Sequence, residues 1–165
     1  MYSLNVPVPS AVARRADQVA ARLPGARRRR RGEHTLVVKR LGETGPHRLS
    51  ARAREVVSGH APFGARVTRI DRFDSPPAGS GPVVYLAVDS PAIGALHDEL
   101  SDRFPPVADL EGDAYVPHVT VARGGDEAAI ERVLRPIEPI EWTVAELVVW
   151  DSRRGQPVER IALSG

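Results

Sequence analysis

Apolar positions alternate along Tyr2 to Val8 with the two-residue period of a strand, and the period then changes. From Ser10 onward Val12, Ala16, Val19, Ala20 and Leu23 recur at helical spacing, with Ser10 as the N-cap and Pro24-Gly25 as the stop. A strand is predicted from His34 to Leu41. A helix from about Leu49 to Ser58 follows, burying Leu49, Ala53 and Val56 or Val57, and then an extended stretch from Ala65 to Phe73. Ser75 to Pro82 has no periodicity and is rich in Ser, Pro and Gly, so it reads as a hinge. Beyond it the order repeats. Val83 to Val88 is a strand, Ser90-Pro91 starts a helix with the stripe Ile93, Leu96, Leu100 and Phe104, and Pro105-Pro106 stops it. The strand around His118 comes next, then a helix from Asp126 to Leu134. Trp142 to Trp150 and Val158 to Leu163 read as closing strands joined by a turn around Arg153-Arg154-Gly155.

Each half therefore reads strand, helix, histidine strand, helix, strand. The caps Ser10 and Ser90, and the histidines His34 and His118, recur at nearly equal offsets, which points to a duplicated unit with pseudo-twofold symmetry. The expected architecture is α+β: antiparallel sheets lining a central cleft, with helices outside. One bilobal domain would span residues 1–165, its pseudo-repeats covering about 1–74 and 83–165 and joined by the loop 75–82.

A chain of 165 residues supports one domain with a real core, and 42% hydrophobic with 27% charged residues is ordinary for a globular protein. No apolar run approaches the ~20 residues of a membrane span, and the N-terminus lacks the pattern of a signal peptide. The absence of cysteine excludes disulfides, a thiolate nucleophile and cysteine-ligated zinc. Cytoplasmic location and a monomer are the defaults. Net charge is only +2, yet Lys39 is the sole lysine and Arg27 to Arg31 form an unbroken run ending three residues before His34. Such a run reads either as a mobile solvated loop or as a phosphate-attracting rim.

Candidate chemistry centres on Val116-Pro-His-Val-Thr-Val-Ala-Arg123. On a strand Val119 and Val121 face a core, while His118 and Thr120 share the other face with Arg123 just beyond. An imidazole beside a hydroxyl and a guanidinium suits phosphate chemistry near neutral pH. An imperfect second copy lies upstream at His34-Thr35-Leu36-Val37-Val38-Lys39-Arg40-Leu41-Gly42. Two histidines facing each other across a cleft would supply one acid and one base. No His-x-x-x-His or carboxylate–histidine cluster accompanies either copy, so neither a metal nor another cofactor is expected.

With these two motifs the chain resembles the two-histidine phosphoesterases, in particular the LigT-like RNA 2',3'-cyclic phosphodiesterases, also called 2'-5' RNA ligases. The resemblance rests on Tyr115 to Arg123, on the opening strand and on the strand ending Val149-Trp-Asp-Ser152. It implies His34 and His118 as catalytic acid and base, and Thr120 with Thr35 as phosphate donors. Arg123 and Arg40 are further phosphate contacts, and Tyr115 is a base-stacking candidate. The implied activity is metal-independent hydrolysis of 2',3'-cyclic phosphate ends to 2'-phosphates, with 2'-5' ligation as its reverse. The implied partners are RNA ends or small cyclic nucleotides, an ADP-ribose cyclic phosphate among them.

The first motif departs from the family pattern, which places threonine two and glycine seven residues after the histidine. Here Thr35 directly follows His34, and Gly42 lies one residue late. On a regular strand Thr35 faces away from His34, whereas a β-bulge would re-aim it. A non-catalytic RNA or nucleotide binder with a degraded first motif is therefore the alternative.

Overall fold

The structure, a computed structural model, describes residues 1–30 and 32–165. The chain runs β1 (Tyr2–Pro7), α1 (Ser10–Ala20), β2 (Arg27–Arg28), β3 (Thr35–Gly42), α2 (Pro46–Val57), β4 (Phe63–Phe73), β5 (Val83–Asp89) and α3 (Pro91–Ser101). It continues with β6 (His118–Arg123), α4 (Glu127–Val133), β7 (Arg135–Val144), β8 (Glu146–Asp151) and β9 (Gln156–Ala162). The strands pair antiparallel in the order β7-β4-β5-β6-β3-β1-β8-β9, with β2 added to β6. This is the α+β architecture expected.

Each helix buries the stripe its sequence spacing predicts: Val12, Ala16, Val19 and Ala20 on α1, Leu49, Ala53, Val56 and Val57 on α2, Ile93, Leu96 and Leu100 on α3. These meet the core residues of the strands, α1 against β6, α3 against β3 and α2 against β9. Asp126 caps α4 by accepting from the Ala129 N–H at 2.9 Å. The residue at the N-cap of α1 is Pro9 rather than Ser10, and the Ser90 hydroxyl donates to the Gly64 carbonyl instead of capping α3.

One strand reading needs correction. Trp142 to Trp150 is not continuous: the chain breaks at Ala145, β7 pairing with β4 while β8 pairs with β1 and β9. Residues 135–141 also join β7, with Pro136 and Pro139 inside the strand. An edge strand tolerates proline because one row of its N–H groups has no partner to lose.

The sheet divides at β3 and β6, which share a single bridge, Leu36 opposite Val119. One half-sheet is β7-β4-β5-β6 and the other β3-β1-β8-β9, so each lobe takes strands from both halves of the chain. β4 joins the second lobe, and β8 and β9 return to the first. That thin seam holds the cleft.

Candidate active site

Antiparallel strands are locally related by a twofold axis through their pairing. The axis through Leu36 and Val119 carries His118 onto Thr35 and Thr120 onto Val37. The correspondence extends beyond the bridge. On β6 the pairing with β5 skips Val121, and on β3 the pairing with β1 skips Val38, so each strand carries an extra residue at the matched position. The extra residue returns Arg123 to the face of Thr120, and Arg40 to the face of Val37. The cleft is accordingly lined by His118, Thr120 and Arg123 from one lobe and Thr35, Val37 and Arg40 from the other. The second motif is complete. In the first, a threonine stands at the histidine position and a valine at the threonine position.

His118 is held from three sides. Its Nδ1 lies 2.7 Å from the Val116 carbonyl, so in the neutral ring Nδ1–H donates there and Nε2 is left as the acceptor. Phe73 meets the ring edge-on at 5.1 Å and Tyr85 at 5.3 Å, and these two aromatics stack on each other at 4.2 Å. Burial pushes the imidazole pKa below its ordinary value against the opposing bond to Val116, and Arg40, Arg123 and Arg29 depress it further. At neutral pH His118 is therefore a neutral proton acceptor.

His34 does not face His118, which corrects the expected pair. Its ring is 1% exposed and lies 3.8 Å from Asp17 Oδ1 of α1. Neither ring nitrogen finds a hydrogen-bond partner among the described residues. The reason is parity: Thr35 and Val37 face the cleft while Leu36 enters the core, so the residue before Thr35 turns away. The extra residue sits at Val38, too far along β3 to re-aim His34. Burial lowers the His34 pKa, with Asp17 opposing, Arg29 adding and Glu33 opposing.

A histidine pKa lower in the folded chain means fewer protons bound than in the unfolded one. The neutral ring is tolerated above the unfolded pKa of ~6.5, and stability is lost as pH falls through the folded value. His34→Leu is expected to gain stability relative to the parent at pH 5 but not at pH 8, by urea unfolding at both. An equal change at the two pH values would contradict the buried neutral assignment.

The arginine run is partly ordered rather than a free loop. Arg27 and Arg28 form β2, Arg27 lies directly opposite Arg123, and Arg29 lines the cleft beside Glu33. Arg31 lies outside the described residues. Among the described residues no carboxylate comes within 4.0 Å of the guanidinium of Arg27, Arg28, Arg29 or Arg30. Like charges directly across a ladder repel. Burial lowers the Arg123 pKa, and Arg29 and Arg27 add to that shift. An anion in the cleft relieves this repulsion. Arg123 also donates to the carbonyls of Ala78 at 3.0 Å and Ser80 at 3.2 Å, which makes the 75–82 loop a wall of the cleft. Gly79, at φ +78°, lets that loop close, because a Cβ there would stand 3.1 Å from the guanidinium.

The opposite wall is the segment from Pro105 to Pro117, anchored on a buried ion pair. Glu111 takes the fully buried Lys39 ammonium and the Val107 N–H at 3.0 Å on one oxygen. On the other it takes the Arg40 N–H at 2.7 Å. Burial would raise the Glu111 pKa, but the bonds from Lys39, Val107 and Arg40 hold it below the usual carboxylate value. His97, read from sequence as a surface residue, is 1% exposed; its Nδ1 lies 2.7 Å from the Val38 carbonyl and Nε2 accepts from the Gly112 N–H at 2.9 Å. Tyr115 lines the cleft, with one face stacked on His97 at 3.8 Å and its hydroxyl donating to the Val37 carbonyl. That ring is committed to holding the wall. Sequence reasoning missed Phe73 and Tyr85, which only the strand register brings to His118, whereas Arg29 belongs to the run read as a candidate phosphate-attracting rim.

Among the described residues no three His, Cys, Asp or Glu side chains are grouped to hold a metal ion. Among the described residues no helix is long and apolar enough to cross a membrane. Residues 8–156 match the 2'-5' RNA ligase superfamily. No curated protein matches significantly. Among solved structures, TT0787 of Thermus thermophilus superposes with a TM-score of 0.71 at 19% identity, covering 99% of this chain and 98% of that one. E. coli LigT complexed with 3'-AMP gives 0.63 at 19% identity (99% and 98% covered). LigT complexed with phosphate gives 0.62 at 20% (99% and 97%).

Proposed function

We propose, starting from a chain that belongs to the 2'-5' RNA ligase superfamily, that its cleft binds RNA ends bearing a 2',3'-cyclic phosphate or a 2'-phosphate. With one cleft imidazole in place of two, it turns the cyclic ends over slowly. The observation that carries this reading is the twofold match of Thr35 and Val37 to His118 and Thr120. Solved LigT structures hold 3'-AMP, phosphate, ATP and NADP+, each a phosphate or a phosphorylated nucleoside. The same ligand chemistry fits the donors of this cleft.

In the proposed step the phosphate rests against His118 and Thr120, with Arg29, Arg40 and Arg123 opposing its charge. Neutral His118 takes a proton from a water, which attacks phosphorus; the Thr120 hydroxyl donates to a non-bridging oxygen as charge builds there. The departing ribose oxygen finds no second imidazole and takes its proton from solvent. General acid assistance typically contributes about 10²–10⁴-fold, so its loss slows turnover by that order.

Calorimetric titration with adenosine 2'-phosphate, and turnover of adenosine 2',3'-cyclic phosphate, test the reading in the parent and in His118→Ala. The parent binds, the variant loses about tenfold or more in affinity, and a chelator changes neither result. Equal binding by both proteins, or turnover near ~10 per second in the parent, overturns it. The unneutralised Arg27 and Arg29 favour RNA over a small cyclic phosphate. Log affinity should thus fall more steeply with log salt for an oligonucleotide than for the mononucleotide, by about 0.7 per added phosphate contact.

A further inference from the structure

The twofold extends past the two motifs and identifies a feature that the phosphate reading leaves unused. Asn5 pairs with Val37 as Tyr85 pairs with Thr120, and Trp150 lies opposite Ser3 as Phe73 lies opposite Val83. The aromatic pair that holds the His118 ring, Phe73 and Tyr85, thus has Trp150 and Asn5 as its counterpart around Thr35. On the His118 side those two residues clamp a planar heteroaromatic ring. On the Thr35 side the matched position holds a side chain with no ring, and a cavity of about 220 Å³ opens there, lined by Asn5, Thr35, Trp150 and His34 among others. Thr35 lines both this cavity and the phosphate cleft, which places the two side by side.

The polar groups in the cavity are built in. Asn5 is 2% exposed; its Nδ2 donates to the Thr35 hydroxyl at 3.1 Å, while its Oδ1 is buried without a hydrogen-bond partner among the described residues. A buried acceptor without a donor is costly, and a ligand N–H offsets that cost. A planar, apolar-faced group carrying an N–H donor matches an indole wall and a carboxamide oxygen together.

We infer that the cavity between Trp150 and Asn5 is a nucleobase subsite, which takes the base of a nucleotide whose phosphate sits at His118. A base bearing an exocyclic amine, such as adenine, stacks on Trp150 and donates to Asn5 Oδ1. The inference rests on the phosphate reading for the orientation of the ligand.

Trp142→Phe leaves Trp150 as the one tryptophan and a direct reporter. In that background, adenosine 2'-phosphate is expected to change the Trp150 fluorescence on titration and inorganic phosphate to leave it unchanged. The nucleotide should bind about fivefold or more tightly than phosphate. By calorimetry Trp150→Leu removes that preference, Trp150→Phe retains most of it, and Asn5→Leu reduces it, with circular dichroism checking the fold of each. Equal affinity for nucleotide and phosphate, or a preference that survives both Trp150→Leu and Asn5→Leu, overturns the subsite and leaves the phosphate reading intact. Adenosine that perturbs Trp150 in a protein that binds no phosphate supports the subsite and overturns the phosphate reading.

Discussion

Thr35→His combined with Val37→Thr is expected to raise turnover of 2',3'-cyclic phosphates by about 10²–10⁴-fold, the contribution of one positioned proton donor. The two positions are those that the axis through Leu36 and Val119 matches to His118 and Thr120, so the new imidazole enters on the cleft side of β3. Arg40 already stands where Arg123 stands on the other lobe. The added ring also fills the space beside Trp150, so the comparison belongs on kcat at saturating substrate, where altered affinity does not enter. Thr35→His alone supplies the ring without the matched hydroxyl and is expected to give only part of the gain. If kcat of the double variant stays within a few-fold of the parent while its fold is intact, the missing first motif is not what limits the chemistry.

Lys39→Met is expected to destabilise the chain by about 3–5 kcal/mol, because it leaves the Glu111 carboxylate buried without its counter-charge. Both side chains are fully buried, and a cost of that size is a large share of the ~5–15 kcal/mol that keeps a domain folded. Lys39→Met with Glu111→Leu removes both charges and is expected to recover much of the loss, although the Arg40 and Val107 N–H groups then lose their acceptor. Glu111 also sets a pH dependence in the parent. Its pKa is lower folded than unfolded, so its contribution is complete above the ordinary glutamate value and disappears as pH falls through the folded one. Urea unfolding of parent, single and double variants at neutral and acidic pH checks both points; a single variant as stable as the parent would show that the pair does not anchor the wall.

Much of this architecture was legible in the chain. Apolar spacing gave the cores of α1, α2 and α3, and the strands through Leu4, Val84 and Val119. The recurrence of the same order pointed to a repeat. The Ser75–Pro82 loop, however, joins β4 to β5 within one half-sheet and is not a hinge between two lobes, each of which draws strands from both halves of the chain. The second motif was legible as well, because alternate residues of one short strand fix His118 and Thr120 on one face whatever the rest of the chain does.

The first motif was misread for a physical reason. A histidine ahead of an apolar strand draws attention, but face is decided by parity, and parity depends on where the extra residue sits. It sits at Val38, and the spacing from His34 to Gly42 alone does not reveal that. Counting back from Gly42 instead places Thr35 at the histidine position, in agreement with the register. Lys39 and His97 carried no sequence signal of burial, since their partners, Glu111 and the Val38 carbonyl, come from distant segments. Tyr85 and Phe73 reach His118 only through the pairing of β4, β5 and β6.

The most direct test follows the imidazole resonances of the chain by NMR while inorganic phosphate is added across pH 5 to 8. The account predicts that phosphate shifts the His118 resonances and raises the His118 pKa, because an anion beside the ring favours its charged form. The His34 resonances should shift far less, since that ring is 1% exposed, lies beside Asp17 of α1 and does not line the phosphate cleft. His34 moving with phosphate as far as His118, or His118 not responding at all, would contradict a cleft that works with a single histidine.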